Sequence, residues 1–184
     1  MSTSMDPKAI RVGDFWFNRP PIEWIIAPDG LDAQIKSEFG DLVEQARRGE
    51  LDGWTAHPES SVALVALLDQ FSRNLFRGTP EAFSADAKAR EVAAKSIAQD
   101  FDMQVSVIKA SAFYMPLMQD ESLISLIASR CLFEALKTRC TNDEEHEHIV
   151  QLEKFGRYPS RNDILGRKST KEEEDFLRDR VFTL

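Results

Sequence analysis

The stretch 62–76, VALVALLDQFSRNLF, constrains the fold of this chain more than any other. Val62, Leu64, Val65, Leu67, Leu68, Phe71, Leu75 and Phe76 leave little of a helix's circumference polar. A helix that is apolar nearly all round belongs in the middle of a bundle. Its polar residues are ordered rather than scattered. Asp69, Arg73 and Arg77 recur every four positions and fall along one stripe, and Gln70 and Asn74 form a second stripe beside it. A core helix with such stripes either fixes its register through buried ion pairs or lines a polar site.

The remaining segments are laid out as helices around this one. Leu31, Ile35, Phe39, Leu42, Val43 and Ala46 give 31–49 one apolar face, with Asp29 or Asp32 to cap it and Gly49 to end it. Ser60 or Ser61 is placed to open the central helix and Gly78 to close it. Thr79-Pro80-Glu81 has the cap, first-turn proline and early acid of a helix start, predicting a helix over 82–99. Its small residues Ala82, Ala85, Ala89, Ala93 and Ala94 let a neighbour approach closely, and its Asp86 can face the basic stripe.

Further helices are expected over 105–114 and 123–136, separated at Met115-Pro116, and over 145–155, acidic at its start. A short turn over 160–165 ends at Gly166. Ser169/Glu172 and Thr170/Glu173 both match a capping box, predicting a last helix over 170–181. The clusters Phe15-Trp16-Phe17 and Trp24-Ile25-Ile26 flank Pro20-Pro21 and are expected to pack on the bundle. Almost no segment alternates as a strand does, so the chain is expected to be all-α. One domain is expected over 1–184, residues 1–28 packing against a helical array of 29–184.

The formal charge of −8 opposes general binding to nucleic acid or to an anionic membrane, both of which are held by excess Lys and Arg. No run approaches the roughly 20 apolar residues of a membrane span, and residues 1–8 are polar, without a secretory h-region. A cytoplasmic location is expected. Cys131 and Cys140 have no Cys-x-x-Cys spacing and read as reduced thiols.

Two motifs that invite a chemical reading do not carry one. Gly166-Arg167-Lys168-Ser169-Thr170 lacks the earlier glycine, the Gly-Lys-Ser/Thr order and the preceding strand of a phosphate-binding loop. His146 and His148 lie two apart and point about 200° from each other on a helix, whereas helical metal pairs use three or four. Neither a metal nor a cofactor is expected. A Gly-x-Ser-x-Gly nucleophile turn is absent. What remains is charge. Asp69, Arg73, Arg77 and Asp86 could meet Arg157, Arg161 and Asn162 if the chain returns to its centre, and clustered guanidiniums hold carboxylates or phosphates bidentately.

The stretch 67–83, LLDQFSRNLFRGTPEAF, together with Phe155-Gly156-Arg157-Tyr158-Pro159-Ser160-Arg161-Asn162 and Leu165-Gly166-Arg167, resembles the bacterial family catalogued as domain of unknown function 924. Phe15-Trp16-Phe17, Phe113-Tyr114-Met115-Pro116-Leu117 and His148 resemble its pattern as well, so the likeness covers nearly the whole chain. It implies antiparallel helix hairpins in a right-handed, tetratricopeptide-like array. It also places the stripe and the Arg157–Asn162 turn in one shared site. Gln119-Asp120-Glu121 stands where the family usually has His-Ser-Glu, and Pro159-Ser160-Arg161-Asn162 where it usually has Pro-His-Arg-Asn; two family histidines are thus replaced.

The candidate ligand-binding residues are Asp69, Gln70, Arg73, Asn74, Arg77, Asp86, Glu121, His148, Arg157, Arg161 and Asn162. They point to a cleft for a small anion or an acidic peptide end. The alternatives are a hydrolase using Asp69, Asp86 or Glu121 with arginine charge stabilisation, and a scaffold for a protein partner.

Overall fold

The protein is described by a computed structural model over residues 5–20, 22–136, 151–152 and 154–178, with residue 25 described by its backbone alone. Nine α-helical segments carry the fold of the described residues: α1 (Pro7–Phe17), α2 (Ile22–Ile25), α3 (Leu31–Arg47), α4 (Pro58–Ala66), α5 (Ser72–Leu75), α6 (Asp86–Ile97), α7 (Val107–Met118), α8 (Leu123–Ala135) and α9 (Lys171–Arg178). Short 3-10 turns lie at Asp52–Ala56, Pro80–Phe83, Asp102–Gln104 and Pro159–Arg161. No strand occurs among the described residues, and the protein is all-α.

The apolar stretch is central, as its composition requires. Every residue of α4 from Ser60 onward is buried, and α4 packs against α1, α6 and α7. It opens at Pro58 with His57 as the cap residue, one turn earlier than a Ser60 or Ser61 cap would place it. Proline suits the first helical position because its missing N–H would have no helical partner there. Ser60 instead donates to the Trp54 carbonyl at 2.7 Å, and Ser61 meets Ser96 of α6 at 2.5 Å. The close crossing of α4 and α6 rests on the fully buried Ala89 and Ala93.

α4 does not run on as an α-helix. Residues Leu67–Phe71 form a π-helical turn before α5 resumes the ordinary pitch. The Ser72 hydroxyl and the Asn74 amide donate to the Leu67 and Gln70 carbonyls of this widened turn, at 3.1 and 2.9 Å. Phe71, fully buried at its end, meets Phe15, Trp16 and Phe39 edge-on with centroids 5.8, 5.1 and 5.3 Å away. The N-terminal packing segment is thereby tied to α3 and the core, with α1 as a true helix capped by Asp6, whose other carboxylate oxygen accepts the Trp54 indole N–H at 3.1 Å.

Three further boundaries differ from the sequence expectation. Gly30, at φ +85°, precedes α3 in place of an aspartate cap, leaving Asp32 in the first turn. The segment 80–83 forms a separate 3-10 turn, so α6 begins at Asp86. Pro116 lies inside α7 and does not end it: the amide bond to the Ala112 carbonyl is forfeited, while α7 stays packed against α8, where Tyr114 meets Phe133 edge-on and its carbonyl accepts from the Ser129 hydroxyl. The expected 145–155 helix lies largely outside the described residues.

Candidate functional site

The π-turn buries two polar side chains that an apolar core would otherwise reject. Asp69 is 1 % exposed, and its Oδ1 accepts from Arg73 Nη2 at 3.2 Å while Oδ2 accepts from the Gln70 amide. The same Arg73 nitrogen donates to Asp86 Oδ1 at 2.9 Å, so one guanidinium joins the π-turn to the first turn of α6. From the far end of the chain, Arg161 brings Nη1 to 3.9 Å of Asp86 Oδ2 and donates through Nη2 to the Gln119 carbonyl at 3.1 Å. Both guanidiniums lie over the Phe83 ring, 5.2 Å for Arg73 and 4.8 Å for Arg161, and Arg161 also lies over Tyr158 at 4.7 Å.

The electrostatics of this group follow from burial. Burial works against the charge of Arg73, but Asp69 and Asp86 outweigh it and hold its pKa above the ordinary value. Arg161 is shifted the other way: burial lowers its pKa, the nearby Arg73 lowers it further, and Asp86 only partly opposes them. Asp86 is raised above its ordinary value, first by burial and then by Asp69 against the pull of Arg73. Two cations and two carboxylates balance, yet the pairing is uneven. Among the described residues Arg73 Nε is buried with no acceptor, and Arg161 reaches the Asp86 carboxylate only at long range.

A second polar hub lies at the start of α9. Glu173, 2 % exposed, accepts from Arg157 Nε and Nη2 at 2.7 and 2.9 Å, from the Asn162 amide at 3.3 Å and from the Thr170 N–H at 2.7 Å. Thr170 Oγ1 accepts the Glu173 N–H in return, so of the two capping boxes in the sequence the Thr170/Glu173 pair is the one formed. The Arg157 bonds, opposed by burial and aided by the Thr170 amide, lower the Glu173 carboxyl to a pKa of about 2.

Between the two hubs runs the turn after α7. The Met118 and Asp120 carbonyls accept the Tyr158 hydroxyl at 3.2 and 3.0 Å. Asp120 pairs with Arg90 at 2.6 Å, and Glu121 accepts from Arg167 and from the Tyr158 N–H.

The structure thus brings together Asp69, Gln70, Arg73, Asp86 and Arg161. Asn74 stands beside them, donating to the Gln70 carbonyl and accepting from Arg77 at 2.7 Å. The expectation of one site sharing all four arginines is corrected. α5 ends at Leu75, so Arg77 leaves the stripe and forks onto Asp32 of α3 at 2.8 and 3.1 Å, half exposed. Arg157 and Asn162 turn to Glu173, whose carboxylate the capping box has already placed among donors. Glu121 lies on the loop between α7 and α8, paired with Arg167, and His148 lies outside the described residues.

Sequence reasoning passed over Phe83, the ring both guanidiniums cover, and Arg167. Phe83 had one available signal, an aromatic side chain three residues before Asp86. A cleft of about 280 Å³ lined by Glu44, Arg47, Arg48, Ser84, Ala85 and Lys88 lies elsewhere, between α3 and the start of α6. Its cations are paired, Arg47 with Glu44 and Glu81, Arg48 with Glu50 and Lys88 with Asp52. Among the described residues no cluster of three His, Cys, Asp or Glu could hold a metal ion, and no helix is long and apolar enough to cross a membrane.

A family model described as bacterial protein of unknown function, DUF924, matches residues 12–180. A solved structure of a protein of unknown function from Agrobacterium tumefaciens is 36 % identical, with a TM-score of 0.88 over 94 % of this chain and 98 % of that one. No curated protein matches the chain.

Proposed function

The chain belongs to the DUF924 family of bacterial proteins, and from that premise, which brings no reaction with it, we propose that it binds a small carboxylate or phosphate anion between Arg73 and Arg161. One observation carries the reading. Two guanidiniums from distant parts of the chain share the Phe83 ring and the Asp86 carboxylate, and among the described residues they retain an Nε with no acceptor and a long 3.9 Å ion contact. An incoming anion supplies the acceptor these donors lack, in surroundings where burial strengthens a charge-assisted hydrogen bond.

The π-turn favours the same conclusion. Such turns inside α-helices frequently occur at functional sites, and this one holds Asp69 between Arg73 and the Gln70 amide. A network serving only to fix register has no need of a second arginine left loosely paired beside the first.

The test is a thermal-shift series with inorganic phosphate, sulfate, succinate and a free-acid tripeptide on wild type and Arg161→Met. A ligand that binds only the native state raises its stability by mass action, about 2.7 kcal/mol at a hundredfold excess over Kd. A shift in wild type that Arg161→Met abolishes supports the site; equal shifts in both proteins, or none in either, defeat it.

A second reading, hydrolysis with Asp86 as proton donor, is favoured by the burial that raises its pKa beside two arginines able to hold developing negative charge. Product formation from phosphate monoesters or amides under the same conditions decides between binding and turnover.

A further inference from the structure

Glu121 holds both ends of the loop carrying Arg161 from the side of the turn between α7 and α8. Its Oε1 accepts the Tyr158 N–H at 3.1 Å, and Arg167 Nη1 donates to both of its oxygens, at 3.1 and 2.8 Å. Tyr158 immediately precedes the 3-10 turn Pro159–Arg161, which ends on the arginine of the site. Arg167 is tied to the other side of that turn, since its N–H donates to the Asn162 carbonyl at 2.7 Å. The carboxylate on the loop after α7 therefore fixes where the turn begins and where it returns, and the Gln119 carbonyl two residues before it receives Arg161 directly.

Among the described residues, an apolar cluster and a set of polar bonds fasten this segment to the bundle near the site. A small apolar cluster of Leu126, Leu152 and Tyr158 packs against Met118, separate from the main core. Polar bonds add to it: the Tyr158 hydroxyl on the Met118 and Asp120 carbonyls, and the Arg161 contacts already described. On the far side, Arg157, Asn162 and Glu173 bind the segment to α9, within the C-terminal region itself.

We propose that Glu121 is the positioning residue of the anion site, setting Arg161 opposite Arg73 by clamping Tyr158 and Arg167. This rests on the anion reading above and adds to it the element that assembles the site. Arg73 and Asp86 are held by the core whether or not the loop is seated, whereas Arg161 reaches them only when it is. Occupancy of the site and seating of the loop are then two faces of one equilibrium, each favouring the other.

Glu121→Gln keeps the shape of the side chain and an acceptor for the Tyr158 N–H, and removes the charge that pairs with Arg167. The experiment is isothermal titration of succinate and of inorganic phosphate into wild type, Glu121→Gln, Arg161→Met and the double variant, with hydrogen exchange followed over residues 157–167. The expected result is a Kd about tenfold weaker in Glu121→Gln, faster exchange across 157–167, and a double variant no weaker than Arg161→Met alone. Glu121→Asp, which keeps the charge, restores part of the affinity. Wild-type affinity in Glu121→Gln, or unchanged exchange, overturns the positioning role and leaves the anion site standing. Failure of wild type to bind either probe removes the site itself, and this inference with it.

Discussion

Replacing Glu173 by Gln isolates the charge of one buried carboxylate from its hydrogen-bonding shape. The capping box tolerates Gln, so the Thr170 N–H keeps an acceptor and α9 keeps its start. What is lost is the charge facing the two Arg157 bonds. The folded carboxyl lies at about 2 against an ordinary 4.5, a gap that in full would be worth about 3 kcal/mol. Arg157 is 31 % exposed, and water at its rim screens the pair, so about 1–2 kcal/mol is the expected loss at pH 7.

The pH dependence has a definite sign. A depressed carboxyl contributes stability that is fully present above its unfolded pKa and is lost as pH falls through the folded one. Urea unfolding followed by circular dichroism should therefore show wild type ahead of Glu173→Gln at pH 6–7. The lead narrows below about pH 4.5, the value of an unperturbed Glu, and closes only as pH falls below about 2, where both side chains become neutral. A difference constant from pH 7 to pH 3 would refute the assignment of this energy to the Arg157 pair.

Phe71→Ala removes a fully buried ring that contacts Phe15, Trp16 and Phe39. It should cost about 3–5 kcal/mol and lower Tm by roughly 8–15 °C, and a fall under about 3 °C in differential scanning calorimetry would contradict the central placement of the π-turn. Asp86 supplies the opposite pH behaviour to Glu173: its raised pKa means that protonation of the folded state begins above its ordinary 3.8. Protonation gives the balanced cluster a net positive charge, so sulfate, which does not titrate in this range, should bind more tightly as pH falls from 7 towards 4. Asp86→Asn should bind it more tightly at pH 7 and lose that dependence; a flat profile in wild type would count against Asp86 as the gating charge.

The sequence by itself determined the class of the fold and the middle of the molecule. A stretch over 62–76 that is apolar nearly all round has no stable place except between other helices, and small residues at 85, 89 and 93 prepare a neighbour for close approach; both are local properties of side chains at helical spacing. The capping box at Thr170/Glu173 was legible for the same reason, since its partners are three residues apart. Pro116 misled because a proline's effect depends on the tertiary packing around it, and α7, packed against α8, runs through it.

The site was legible only in its ingredients. Regular four-residue spacing put Asp69, Arg73 and Arg77 on one stripe, but whether a charge stays on a stripe depends on where the helix ends. The tertiary structure ends it at Leu75 and hands Arg77 to Asp32, a residue 45 positions away. It likewise divides the returning arginines, giving Arg157 to Glu173 and Arg161 to Asp86. Charges choose partners by distance and burial after the chain has folded, and neither quantity is carried by spacing along the chain.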